Sequence, residues 1–145
     1  MIDPQRQNEM REAIELLYFG YRAFTDRPDR ILERRGLGRV HHRVLYFIGR
    51  NPGISIQGLL AILGVTKQAL NGPLRKLVGM NLVAMRLSTQ DRRVRQLSLT
   101  RQGAKLEGQL TETQAQHLHR VFNAAGAAAQ AAWSAVMRRL MEEPH

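Results

Sequence analysis

The chain has 145 residues, 43% of them apolar, and no cysteine. That length suits one domain with its own core, and the lack of cysteine excludes disulfides, thiolate metal centres and thiol redox sensing. The formal charge of +10 is unevenly placed: residues 34–106 carry fourteen Lys and Arg against Asp91 alone, while residues 1–33 carry five Arg against seven acids and residues 107–145 three Arg against four Glu. A basic block between near-neutral ends points to a polyanionic partner. Anionic membrane is the weaker candidate, because the basic residues do not share one long amphipathic helix. The opening Met1-Ile2-Asp3-Pro4-Gln5-Arg6 is polar and no apolar run approaches the ~20 residues of a membrane span. The expectation is a cytoplasmic protein with no membrane partner.

From residue 8 to about 34, Met10, Ile14, Leu17, Tyr18, Tyr21 and Phe24 recur at helical steps, and Pro28 is expected to bend or interrupt the helix near its end. Gly36 and Gly38 punctuate the chain. A second helix follows, with Val40, Val44, Phe47 and Ile48 on one face and Arg39, Arg43 and Arg50 on the other. Asn51-Pro52-Gly53 ends it with turn chemistry. Ser55 is placed to cap a short helix carrying Leu59, Leu60, Ile62 and Leu63. Gly64 breaks that helix, and Thr66 caps the next, from Lys67 toward Met80. Two short helices joined by Leu63-Gly64-Val65-Thr66 form a helix-turn-helix signature.

Two strands are expected at Leu82–Leu87 and Val94–Leu99, joined by the polar, basic tip Ser88-Thr89-Gln90-Asp91-Arg92-Arg93. Leu97 and Leu99 alternate with Gln96 and Ser98, as in a half-buried strand. Thr100 then caps a long helix containing Leu106, Leu110, Leu118 and Val121. After Ala124-Ala125-Gly126 a last helix carries Trp133, Val136, Met137 and Leu140. No repeat and no catalytic constellation emerges: there is no glycine-rich phosphate loop after a strand, no serine elbow and no cysteine nucleophile. Neither enzymatic activity nor a cofactor is expected, and the five histidines show no metal-ligand spacing.

Three stretches together resemble the MarR family of winged helix-turn-helix regulators: Leu59–Leu77, then Asp91-Arg92-Arg93, then Leu97-Ser98-Leu99-Thr100-Arg101-Gln102-Gly103. The resemblance runs from about Leu37 to Gly103. It implies a mainly α fold with a two-stranded β-wing and a two-fold dimer built from the N- and C-terminal helices. It also implies small aromatic or phenolic effectors bound between the dimer layer and the DNA-binding lobe. The organisation expected is residues 1–36 for dimerisation, 37–103 for the DNA-binding lobe and 104–145 for dimerisation, within one compact domain.

The DNA-binding candidates are Thr66, Lys67, Gln68, Asn71, Arg75 and Lys76 on the recognition helix, with Asp91, Arg92, Arg93 and Arg95 on the wing. Gln and Asn pair with adenine and Lys or Arg with guanine in the major groove. A hairpin arginine suits a narrow minor groove. By similarity to the family, Asp91 pairs with a neighbouring wing arginine. Ala69, Leu70, Leu74 and Leu77 are expected to form the buried face of the recognition helix. Pro73 is expected to kink that helix without dividing it, and Asn81, where relatives have glycine, to end it in the left-handed conformation. Tyr21 and His41 are effector-binding candidates. Ile14, Leu17 and Tyr18, with Trp133, Val136 and Leu140, are dimerisation candidates, and Ala127–Ala132 permit close helix approach. Two functions remain open at this stage: a sequence-specific regulator on a pseudo-palindromic operator, and a non-specific architectural or nucleoid-associated protein. A winged helix used for protein interaction would leave the basic block largely unexplained.

Overall fold

The computed structural model describes residues 2–144; Met1 and His145, the ends of the two expected dimerisation segments, lie outside it. The helices are α1 (Pro4–Glu33), α2 (Arg39–Arg50), α3 (Ile56–Leu63), α4 (Lys67–Gly79), α5 (Arg101–Ala125) and α6 (Ala127–Glu142), and the strands are β1 (Ile54–Ser55), β2 (Val83–Leu87) and β3 (Arg95–Leu99). The fold is mainly α, as the sequence implies. The sheet, however, has three antiparallel strands in the order β1-β3-β2, where two were expected. The two-residue β1 is too short to show alternation. It forms because Gly53 donates to the Leu97 carbonyl at 2.8 Å and Ile54 then registers with Leu97. On the other side β3 pairs with β2 from Val83↔Leu99 to Leu87↔Arg95.

The helix starts obey their caps. The side chains of Ser55, Thr66 and Thr100 accept from the backbone N–H of Gly58, Ala69 and Gly103 at 3.0, 3.1 and 3.0 Å, each satisfying a donor that the first turn leaves free. At the end of α4, Asn81 adopts φ 60°. The N–H of Leu82 returns to the Leu77 carbonyl at 2.9 Å and that of Asn81 to Val78 at 3.0 Å, the paired bonds of a left-handed helix stop.

Two prolines behave differently from an ordinary helix interior. Helix α1 continues through Pro28 to Glu33 without the expected interruption, because Pro28 and Leu32 are both buried in the core. Packing there outweighs the lost hydrogen bond. Helix α4 is likewise continuous through Pro73. The carbonyl of Ala69, which Pro73 cannot serve, belongs to an exposed residue, so water can take the place of the missing N–H. Leu70, Leu74 and Leu77 bury the opposite face; Ala69 does not join them as expected. On α2 the buried face is His42, Val44, Leu45 and Ile48, and Val40 is exposed instead of sharing it.

The core gathers these leucines with Leu59, Leu82, Val83 and Leu97, and extends into the long helices through Leu32 of α1 and Leu106 and Leu110 of α5. Gly103 is the tightest point. A Cβ there would sit 1.9 Å from the Leu82 carbonyl oxygen, far inside contact distance. The Gly103→Ala variant must push α5 away from the start of β2, and overpacking of this kind costs about 1–3 kcal/mol. Gly108, one turn further along α5, has nothing within 4 Å of a Cβ. Calorimetric melting should show Gly103→Ala markedly destabilised and Gly108→Ala equal to or above the parent, with a gain of up to ~1 kcal/mol from helix propensity.

Candidate nucleic-acid interface and ligand cavity

A groove of about 970 Å³ opens between α3, α4 and the β2–β3 hairpin. Its walls include Lys67, Asn71 and Arg75 from α4 and Asp91, Arg93 and Arg95 from the hairpin; its floor includes Leu60, Leu74, Val78 and Met85. Six of the ten DNA-binding candidates thus converge here. Thr66 caps α4, Gln68 and Arg92 are exposed outside the groove, and Lys76 donates to the Gly36 carbonyl instead. Ser55 and Gln57, at the start of α3, also line the groove and were not among the DNA-binding candidates. The signal available was the cap itself, since a helix start presents unpaired N–H groups.

The wing is shaped by two small polar side chains. The buried Ser88 Oγ accepts from the N–H of Gln90 and Asp91 at 3.2 and 3.3 Å. The loop closes with Ser88 N–H on the Val94 carbonyl at 2.8 Å. Asp91 Oδ1 accepts from the backbone N–H of Arg93 at 3.0 Å and from its Nε at 3.2 Å. The bond from the Arg93 side chain, followed by the bond from its backbone, holds the Asp91 carboxyl below the usual carboxylate range. Asp91 therefore spends its charge on fixing Arg93, and Arg92 extends beside the pair.

A second cavity, about 530 Å³, lies between α1, α2 and α5. Tyr21, Phe24, Tyr46, Phe47 and Leu118 give it mainly apolar walls, with Arg39, His42 and Arg43 at its edge. Arg43 Nη2 donates to the Tyr21 hydroxyl at 2.8 Å, and the Arg39 guanidinium lies 5.5 Å from the Tyr21 ring centroid while its Nε pairs with Asp29 at 2.7 Å. Tyr21, an effector-binding candidate, lines this cavity. His41 does not line it: its Nδ1 accepts from the Gly38 N–H at 2.9 Å at the start of α2. The neighbouring His42 occupies the place His41 was expected to take.

At the two ends of the chain the apolar dimerisation candidates stand in solvent. Ile14, Leu17 and Tyr18 are 67%, 51% and 59% exposed, and Trp133, Val136 and Leu140 are 46%, 62% and 55% exposed. An edge-to-face contact between Phe122 and Trp133, with centroids 5.4 Å apart, joins α6 to α5. Among the described residues, no helix is long and apolar enough to cross a membrane.

The winged-helix topology and the basic groove define the class, and comparison with known proteins agrees. Residues 35–94 match the model of the MarR family. The chain is 43% identical over 134 residues to the HTH-type transcriptional regulator PetP of Rhodobacter capsulatus, covering 92% of this chain and 81% of that protein. The chain belongs to the MarR family and is a helix-turn-helix transcription regulator of that family. Its fold is similar to that of Streptococcus pneumoniae FabT solved in complex with DNA (TM-score 0.73, 19% identity, 97% of this chain and 96% of that one). It is also similar to NadR solved in complex with 4-hydroxyphenylacetate (TM-score 0.73, 20% identity, 88% and 91%).

Burial, opposed by Asp29 and Glu107, holds the His42 imidazole below its ordinary basicity, and burial with the nearby Lys76 does the same to His41. Because the folded-state values are depressed, the unfolded chain takes up these protons first as pH falls. Their contribution to stability is complete above the ordinary imidazole value near 6.5 and shrinks as pH drops below it. The melting temperature should therefore fall between pH 7.5 and 5.5. In His42→Gln that dependence should be shallower; an identical slope would show that His42 does not titrate with folding.

Proposed function

We propose that this regulator acts in the cytoplasm as a homodimer on a pseudo-palindromic duplex operator, reading bases with α4 and gripping the flanking minor groove with the wing. The observation that carries the reading is the convergence of Lys67, Asn71 and Arg75 with Arg93 and Arg95 on one groove, with Asp91 the single acid among its lining residues. The amide of Asn71 suits the adenine edge and the guanidinium of Arg75 the guanine edge. Arg92, Arg93 and Arg95 supply positive charge at the wing, where a narrow minor groove concentrates negative potential. FabT, a structural relative solved with DNA, supports the same use of this fold.

The exposed apolar residues of α1 and α6 support dimerisation. Rows of this size are rarely left in water by a monomer, and burying them against a second copy would bring two α4 helices to one face of the duplex. Residues 1–36 and 104–145 would then form the dimer layer and 37–103 the DNA-binding lobe. The cavity beneath Tyr21 is suited to a small aromatic effector: its walls are apolar and aromatic, and Arg39 and Arg43 can meet a phenolic or anionic head group. NadR, solved with 4-hydroxyphenylacetate, supports that class of ligand. An effector would act by binding one spacing of the recognition helices better than another.

Selection of bound duplexes from a random pool at physiological salt tests the reading. The expected product is a two-fold symmetric motif with half-sites about one helical turn, ~34 Å, apart, bound roughly 10³-fold or more above random sequence. Recovery of no motif, with equal affinity for all duplexes, would instead establish an architectural protein. On the selected duplex, Asp91→Ala should weaken binding although it removes a negative charge from beside the phosphates. Simple charge counting predicts the opposite sign, so the direction alone decides whether Asp91 orders the wing.

A further inference from the structure

Lys76 belongs to α4 but not to the groove that the rest of that helix lines. Each helical residue turns the next by about 100°, and Lys67, Asn71, Leu74, Arg75 and Val78 share the groove side. Lys76 falls on the flank beyond Arg75, where its ammonium donates to the backbone carbonyl of Gly36, forty residues earlier. Gly36 is the left-handed residue, φ 72°, that ends α1. The N–H of Gly36 returns to Glu33 and that of Leu37 to Leu32, at 3.0 and 2.9 Å. This closed turn leaves the Gly36 carbonyl for a donor from outside it. Two residues on, the Gly38 N–H donates to His41 Nδ1 as α2 begins. One ammonium thus ties the end of α1, at the α1–α2 junction, to the last turns of α4.

We propose that Lys76 is a positioning residue for DNA recognition, fixing the orientation of α4 against α1 through the Gly36 carbonyl without itself contacting phosphate. The proposal rests on α4 being the helix that reads DNA. A charge-assisted hydrogen bond is among the stronger polar contacts, and this one holds the helix near its C-terminal end while Thr66 fixes its start. His41 suits the arrangement. Its imidazole accepts from Gly38 in the neutral form, and burial together with the Lys76 charge favours that form. Attraction to phosphate tolerates small changes in helix orientation, whereas paired hydrogen bonds to base edges do not. Loss of the tether should therefore reduce specificity and leave non-specific binding intact.

The chain has only three lysines, Lys67, Lys76 and Lys105, so acetylation footprinting read by mass spectrometry follows each one. With a duplex selected from the random pool, Lys67 should become protected. Lys76, an exposed residue, should react at the same rate with and without DNA bound. In Lys76→Met, affinity for the selected duplex should fall roughly tenfold, the scale of reordering a loosened α4 when it binds. Affinity for a random-sequence duplex and the slope of log K against log salt should not change. Lys76→Arg, whose guanidinium can also reach the carbonyl, should recover most of the loss. By contrast, Lys67→Met should lower the salt slope by about 0.9 on both duplexes, as for one phosphate contact. Protection of Lys76 by DNA, or a slope change in Lys76→Met like that of Lys67→Met, would make Lys76 a phosphate contact and overturn the proposal. Unchanged affinity for both duplexes would overturn it equally. Failure of the underlying reading has its own signature: Lys67 would show neither protection nor a slope change, and the proposal would fall with it.

Discussion

The join between α4 and the wing depends on how α5 begins. The Thr100 N–H donates to the Leu82 carbonyl at 3.1 Å, its hydroxyl donates to the Asn81 carbonyl at 2.6 Å and also accepts from the Gly103 N–H. Gly103, lacking a Cβ, lets the helix rest directly on that same Leu82 carbonyl. One threonine and one glycine thus join the end of the recognition helix, the first residue after its stop and the long C-terminal helix. The hairpin starts at Val83 and returns at Leu99, so both of its ends are held by the same junction. The angle between α4 and the wing is consequently set by backbone contacts, which are stiff, and not by the charged side chains that use it.

Charge and shape have separate supports in this molecule. The leucine core fixes α3, α4 and the sheet, and the basic residues occupy what is left exposed. Asp91 shows how an acid can serve a basic surface: its bonds to the Arg93 backbone and side chain order the loop, so the net charge lost at the wing is exchanged for a defined arginine geometry. Lys76 shows the complementary case, a cation on the recognition helix engaged with backbone on the side away from the groove. Counting positive charges along α4 would treat Lys67 and Lys76 alike, although their surroundings differ completely.

Much of this was legible in the sequence because it is local. Caps at Ser55, Thr66 and Thr100 need only a hydroxyl before a helical run. The left-handed stop at Asn81 needs only the recognition that asparagine tolerates that conformation. The Asp91–Arg93 contact spans two residues. What escaped depends on contacts distant in the chain. The strand Ile54–Ser55 exists because β3 offers it an edge, and Pro28 stays helical because the core covers it. His41 is the local exception: the Gly38 N–H, three residues before it, claims its ring for a cap, and His42 lines the cavity instead. Lys76 lies outside the groove because its partner, the Gly36 carbonyl, is forty residues earlier in the chain.

If α4 and the wing enter adjacent grooves of one duplex, as proposed, tethered-iron cleavage will place them there. The chain has no native cysteine, so a single Ala69→Cys on α4 or Thr89→Cys at the wing can carry an iron chelate, and cutting is mapped on the bound duplex. Position 69 should give major-groove cleavage within each half-site. Position 89 should give minor-groove cleavage on the flanks, repeated symmetrically about the centre. Cleavage from both positions in the same groove, or none from position 69, would contradict that placement.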